Sequence, residues 1–401
     1  MKLRDYAIKR LLLLIPVMFG VSIMSFILSN SIGDPIASYI GEDQDRLTEA
    51  RIQLLTEQLG LDQPLHIQYI RYLQRLWPLE TPELTNIGSW YLRPPDLGVS
   101  ASFRPPLPVL DVIITRFPAT AELAIFSMIF AVVIGIPLGI VSATRKDQLP
   151  DQISRITALS GVSMPIFWLG LMLQVLIFNS NMIFEDLGLG IKMPYHERYN
   201  VNKFFAKEDN ILGAVVGLLN LLPFLDLGPI PTTGFYLIDN LLYLPAGVPA
   251  LESILVSLEL FIDALIHIFP PAFCLAWVQM ALITRMTRMA MIETMRQDFI
   301  LLAKSKGLSE RVIIYRHALK NALIPTLTIA GLSLAGLLTG TVLTETVFDW
   351  PGIGRWAVTA VSNLDIAAIQ GFVMVTALIY VLSNLLVDIL YAFVDPRIRY
   401  D

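Results

Sequence analysis

Apolar residues in this chain gather into six long stretches that contain no Asp, Glu, Lys or Arg: 11–33, 123–144, 156–184, 264–284, 321–344 and 366–387. A helix rises about 1.5 Å per residue, so roughly 20 apolar residues cross a hydrocarbon core about 30 Å thick. Each stretch is long enough to span. A helix lets each one satisfy its backbone hydrogen bonds internally. The pattern therefore predicts six transmembrane helices. A seventh uncharged run, 210–225, has only 16 residues and contains Asn220 and Pro223. Counting it as a span would also put every later basic loop on the opposite side. Lys2, Arg4, Lys9 and Arg10 precede the first stretch, as they would in a secretory signal. That stretch exceeds the roughly 7–15 residues of a signal core, so it reads as a retained span.

The segments between the spans carry weaker patterns. The first outer segment predicts a helix over 48–59, stopped by Gly60. A second is predicted from an N-cap at Asp62 and a proline at Pro64, with Leu65, Tyr69, Leu73 and Leu76 at helical spacing. Five prolines between Pro94 and Pro108 then hold the chain extended. In the second outer segment Leu251, Ile254, Leu255, Leu258, Ile262 and Leu265 form an apolar stripe, with Glu252, Glu259 and Asp263 opposite. This predicts a helix along the outer surface leading into the fourth span. Segment 285–320 predicts a helix ending at Gly307, then a second one capped by Ser309 that runs into the fifth span. The organisation is thus 1–33 (N-terminus and first helix), 34–115 (outer loop) and 116–401 (five-helix core). The core includes an outer excursion over about 182–263 and the inner loop 285–320.

Composition narrows the class. Of 401 residues, 55% are hydrophobic and 16% charged, and the mean hydropathy is +0.62. A soluble domain has about 25% charged residues. This argues against a soluble enzyme, and a net charge of −5 offers nucleic acid no general attraction. Cys274 is the single cysteine, so neither a disulfide framework nor a cysteine cluster can form within the chain. His66, His196, His267 and His317 show no metal-ligand spacing.

Charge placement sets an orientation. With the N-terminus inside, the inner segments carry 17 basic and 8 acidic residues and the outer ones 11 and 23. Loop 285–320 alone has eight Lys and Arg. Basic residues favour the cytoplasmic side, so both termini are expected there. From physics alone, that loop reads equally well as a surface for another protein or as a basic segment held by lipid head groups.

A resemblance resolves that choice. The string "RQDFILLAKSKGLSERVIIYRHALKNALIP" resembles the coupling loop of ABC-importer permeases of the oligopeptide, dipeptide and nickel subfamily. Of the generic Glu-Ala-Ala-x-x-x-Gly motif, only Ala303 and Gly307 remain, with Leu301 and Leu302 in the leading places. "LGLDQPLHIQYIRYL", "RFPATAELAI", "GIPLGI", "TETVFDWPGIGRW" and "VDPRIRY" are similar to other parts of that subfamily. Residues 182–229 look like an insertion. The resemblance implies an all-α polytopic permease of type I ABC-importer architecture with two helical outer excursions, in the inner membrane of a prokaryote. It implies a second permease subunit, two ABC ATPase subunits and an extracytoplasmic binding protein as partners, within a lipid bilayer. The chain lacks G-x-x-x-x-G-K-[ST], so it is expected to bind no cofactor itself, with ATP and Mg on the ATPase subunits. The implied coupling residues are Ala303, Lys304, Lys306, Gly307, Leu308 and Arg311. Ala303 would let the helix sit close to an ATPase groove, and Gly307 would make a turn only glycine enters cheaply.

Polar residues at span ends remain open to two readings each. Asn384 and Asp388, one turn apart, line a pathway or hold helices together, and the second reading is preferred. Glu345 pairs with Arg355 to shape an outer gate, or is an interfacial acid. Gln174 bonds a peptide cargo, or its surroundings in the bundle. Glu122 reads as interfacial. Gly135-x-x-x-Gly139 and Gly336-x-x-x-Gly340 read as helix-packing faces. The favoured function is a peptide importer's permease. The alternatives are the same mechanism for nickel or another small solute, and an ion-coupled secondary transporter. The latter would require inverted repeats, and none is visible.

Overall fold

The computed structural model describes residues 3–32, 62–76, 95–186 apart from 101 and 104, and 250–394. Short pieces at 56, 79–80, 91–92, 235 and 237–239 are also described. The expected helix over 48–59 lies outside the described residues except Thr56, and the insertion lies outside them except 182–186.

In chain order the helices are α1 (Leu3–Ile32), α2 (Leu65–Leu76), α3 (Val109–Thr144), α4 (Leu149–Ser163), α5 (Ile166–Asp186) and α6 (Ala250–Thr294). There follow α7 (Asp298–Ser305), α8 (Glu310–Leu338), α9 (Val342–Val347), α10 (Ile353–Ser362) and α11 (Ile366–Val394). Two short antiparallel hairpins precede α3. They are β1 (Leu79–Glu80) with β2 (Tyr91–Leu92), and β3 (Val99–Ser100) with β4 (Leu107–Pro108). The fold is all-α and polytopic. Among the described residues four helices are long and apolar enough to cross a membrane, five if α4 and α5 count as one bent span. Leu12–Leu28 of α1 is a shorter apolar helix.

Two expectations about continuity fail. The charge-free run 156–184 is not one helix, because α4 and α5 meet at 104°. Pro165 has no N–H to give and pushes the preceding residue out of helical space; Met164 sits at φ −83°, ψ 127°. The run 321–344 is also interrupted, since α8 ends at Leu338 and α9 begins at Val342, whereas the amphipathic stretch before the fourth span leads into it as expected. It continues into that span as the 45-residue α6. Ser257, Leu260, Ala264 and Ile268 face inward, while Leu258 and Ile262 of the expected stripe are exposed.

The chain forms two compact units, and their division falls within α3, α10 and α11. The first comprises 1–117, 356–385 and 400–401. Its core packs Val109, Val112 and Ile113 against Trp356, Ala360 and Ala368. Asp365, buried at the start of α11, accepts the N–H of Ala368 at 3.1 Å. It also accepts the Ser100 hydroxyl at 2.6 Å and the N–H and hydroxyl of Ser102 at 2.9 and 2.8 Å. One carboxylate thus caps a span and pins the β3 hairpin. Elsewhere in this unit the Ser22 hydroxyl and Tyr69 OH share a hydrogen bond of 2.8 Å, and Phe26 packs on Tyr69 and Tyr72.

The second unit comprises 118–355 and 386–399. Its core joins Leu123, Ala124 and Ala131 to Ile268, Leu275, Ile283 and Trp350. Small residues set the helix spacing here, as they do between membrane helices generally. A Cβ on Gly139 would lie 2.5 Å from Thr287, and one on Gly135 would lie 3.0 Å from Ile283. The Thr284 hydroxyl donates to the Gly135 carbonyl at 3.2 Å. Gly336 does not pack this way, since nothing lies within 4 Å of an added Cβ. Gly340 instead ends the helix with φ +114°.

Candidate functional site

The inner loop is a folded element, with boundaries that differ from the expected ones. α6 continues to Thr294, and a turn over 295–297 separates it from the eight-residue α7. The Gly307 N–H donates to the Lys304 carbonyl at 2.9 Å, and the Leu308 N–H to the Ala303 carbonyl at 3.4 Å. These bonds make a Schellman C-cap, which requires a left-handed residue at its turn. Gly307 supplies it at φ +74°. No atom lies within 4 Å of an added Cβ, so the glycine is needed for its backbone and not for space. Ser309 occupies the next N-cap position but makes no side-chain cap bond.

α7 has two faces. Ile300 and Ala303 are buried in a cluster with Ile140 and Ala143 of α3, Met291 of α6, and Ile313, Ile314 and Ala318 of α8. The residues 313–318 adopt a π-helical turn, which the helical pattern of the sequence did not announce. It brings the consecutive Ile313 and Ile314 onto the same buried side. Ala303 is therefore not presented to a partner as expected. It is 6% exposed and lets α7 sit close to its own chain. Leu301 and Leu302 point outward, 68% and 57% exposed. Phe299, Leu308, Val312 and Tyr315 extend this apolar surface, and Lys304, Lys306 and Arg311 are exposed around it. Exposed apolar residues rimmed by charge suit contact with another protein or with the membrane.

Behind α7 stands a buried ion pair that charge counting missed. Arg288 Nε donates to Asp151 Oδ1 at 2.7 Å, and its terminal NH2 group donates to Oδ2 at 2.9 Å. The Ser142 hydroxyl donates to the same carboxylate at 2.6 Å and the Asp147 N–H at 2.9 Å. Asp151 has no exposed surface. Four donors thus meet one carboxylate, joining the ends of α3, α4 and α6. Arg288 lies ten residues before α7 begins. Its only trace in the sequence is a charge pair at span ends, which is easily counted as loop charge.

The residues around Glu345 form a closely bonded turn. Glu345 is fully buried. It accepts the Thr120 hydroxyl at 2.9 Å and the Arg355 backbone N–H at 2.9 Å, with weaker bonds from Thr341. The Arg355 guanidinium binds Asp349, so the expected side-chain pairing of Glu345 with Arg355 is not formed. Gly352 presses against the Glu345 carboxylate and Thr120 so closely that no Cβ fits. The Trp350 indole N–H donates to the Ala119 carbonyl at 2.9 Å. The motif "DWPGIGR" therefore wraps one carboxylate and ties it to α3.

The remaining candidates are dispersed. Gln174 donates to the Val347 carbonyl at 2.7 Å, linking α5 to α9. Asn384 and Asp388 are half-buried one turn apart on α11, and the Asn384 Oδ1 is buried without a partner among the described residues. Glu122 is buried and accepts the Leu237 N–H at 2.5 Å. Among the described residues no group of His, Cys, Asp and Glu is placed to hold a metal.

Residues 135–400 match the family described as "Binding-protein-dependent transport system inner membrane component", and residues 3–124 match its N-terminal counterpart. The chain is 38% identical over 396 residues to the dipeptide transport system permease protein DppB of Alkalihalophilus pseudofirmus, covering 98% of this chain and 99% of that one. It is 38% identical over 386 residues to the probable D,D-dipeptide transport system permease protein DdpB of Escherichia coli K12, covering 96% and 94%. Identity to the glutathione transport system permease protein GsiC of Escherichia coli is 31% over 397 residues, covering 99% of each chain.

Proposed function

The chain belongs to the binding-protein-dependent transport inner-membrane family, the permeases of ABC importers, and from that premise we propose that it forms half of a membrane pathway for peptides driven by separate ATPase subunits docked on α7. The peptide cargo is supported by the relatives named for dipeptide transport at 36–38% identity. The observation that carries the coupling role is the two-faced α7, with Ile300 and Ala303 locked into the chain and Leu301 and Leu302 turned away from it.

The mechanism follows from that seating. A partner ATPase grips the outer apolar surface, with acidic side chains beside Lys304, Lys306 and Arg311. Closure of the ATPase dimer on ATP displaces α7. Because packed interiors are close-packed and stiff, the cluster passes that displacement to α3, α6 and α8 together. The Asp151–Arg288 pair keeps α4 in step with α6. ATP and Mg are held by the ATPases, and this chain supplies the lever and the pathway. Both termini and α7 face the cytoplasm, in accord with the basic loop. A second permease subunit completes the pathway, and an extracytoplasmic binding protein delivers cargo to its outer side.

Purification in mild detergent from cells that make the whole transporter tests this reading. Two ATPase chains, a second permease and bound peptide are expected. A lone chain that transports peptide without any ATPase would falsify it.

A further inference from the structure

The pair Asp151–Arg288 and the close contact of Gly161 with Ala281 fix the register of α4 against α6 at two points. The carboxylate meets the guanidinium at 2.7 Å, and a Cβ on Gly161 would lie 2.7 Å from that of Ala281. The helices run antiparallel between these points. Arg155 is four residues on from Asp151, and Arg285 three residues back from Arg288. Both sit about one helical turn in from the ion pair on facing helices. They line a single cavity of about 390 Å³.

The lining of this cavity has a definite polarity. It holds three arginines, and no carboxylate is among its lining residues. Asp151 neutralises Arg288 from behind. Among the described residues neither Arg155 nor Arg285 has an ion-pair or hydrogen-bond partner. Two positive charges are therefore left over. The hydroxyls of Ser142, Ser154 and Thr284 are already committed, to Asp151, the Pro150 carbonyl and the Gly135 carbonyl. Beyond Arg155 the same face of α4 continues with Ala158, Leu159 and Val162, which lead away from the charged end. Leu159 and Val162 are exposed, as is Met289 across the cavity.

We propose that this cavity binds an anionic phospholipid of the inner leaflet, its phosphate between Arg155 and Arg285 and an acyl chain along Leu159 and Val162. A soluble phosphate would use the arginines but gain nothing from the apolar wall. A phospholipid uses both, and basic pockets at the cytoplasmic ends of membrane helices suit such head groups. The placement in the inner leaflet rests on the orientation given under the proposed function. Bound there, the lipid packs beside Arg288 and holds α4 against α6 at the level of the ion pair.

The test uses the full chain in bilayer discs of mixed phosphatidylglycerol and phosphatidylcholine, with retained lipid quantified by mass spectrometry after detergent exchange. Phosphatidylglycerol is expected to be retained over phosphatidylcholine. Retention should fall roughly thirtyfold in R155Q/R285Q, given the attraction of each basic residue for anionic lipid, and return in R155K/R285K. L159W, which fills the apolar wall and keeps both charges, should also lose the lipid. Unchanged retention in R155Q/R285Q overturns the proposal. So does displacement of the lipid by millimolar inorganic phosphate, which would make a soluble anion the ligand. Labelling of K146C on a cysteine-free background reads the orientation separately. Labelling from outside, with arginine-dependent retention intact, would overturn the orientation and uphold the site.

Discussion

Asp151 and Arg288 form a two-point ion pair, 2.7 and 2.9 Å, with no exposed surface on the acid. Its geometry requires the end of α4 to follow α6. A buried pair is not itself strong evidence of stability, because desolvation offsets much of the attraction. Breaking it from one side is different, since the remaining charge is left buried and unpaired. R288M should destabilise the chain by about 3 kcal/mol. D151N/R288M, which removes both charges, should recover most of that loss. Thermal unfolding in detergent compares the two, and an R288M midpoint equal to that of wild type would mean the pair holds nothing.

Gly307 separates a backbone requirement from a packing one. Its positive φ costs a branched residue roughly 1–2 kcal/mol, yet open space surrounds it. G307V should insert normally and lose peptide-stimulated ATP turnover. G307N should keep most of that turnover, because asparagine tolerates left-handed backbone. If the two variants fail equally in reconstituted vesicles, the C-cap is not what matters.

The two faces of α7 should respond to substitution in different ways. A303L overpacks the cluster with Ile300 and Ile313, which typically costs about 1–3 kcal/mol, and should lower the melting temperature of the chain. L301E/L302E alters exposed positions, so the melting temperature should hold while ATPase chains are lost on purification. Loss of stability in L301E/L302E would show that this surface is covered by the chain itself.

At the outer turn, E345A and R355A distinguish the observed geometry from the pairing suggested by sequence. E345A strands the Thr120 hydroxyl and the Arg355 N–H in a buried site, where each unmet donor costs roughly 1–3 kcal/mol. R355A keeps its backbone N–H on Glu345 and loses the guanidinium contact with Asp349. Unfolding measurements should therefore find E345A clearly less stable than R355A. Equal losses would favour the guanidinium pairing.

These contrasts also mark what could be read from the residues alone. The charge-free stretches located the long apolar helices, because leaving a backbone group unpaired in hydrocarbon is too costly for any other solution. Gly307 was legible because a glycine after an apolar run signals a C-cap. The break in the third stretch was available from Pro165 but was masked by unbroken hydrophobicity. Ala303 was assigned to the wrong face because motif position says which residue is small, not which neighbour needs it small. Glu345 lost its expected partner because a carboxylate ten residues before an arginine can take the backbone N–H instead of the side chain. Asp151, Arg288 and Asp365 were missed outright. Each does its work through residues distant in sequence, such as Ser100 for Asp365, and no local pattern announces such partners.

Crosslinking from α7 in the assembled transporter addresses the central claim most directly. A photo-reactive residue placed at Leu301 should capture an ATPase subunit, and the same residue at the buried Ile300 should capture only this chain. Capture of the extracytoplasmic binding protein from position 301, or of no ATPase at all, would contradict the account.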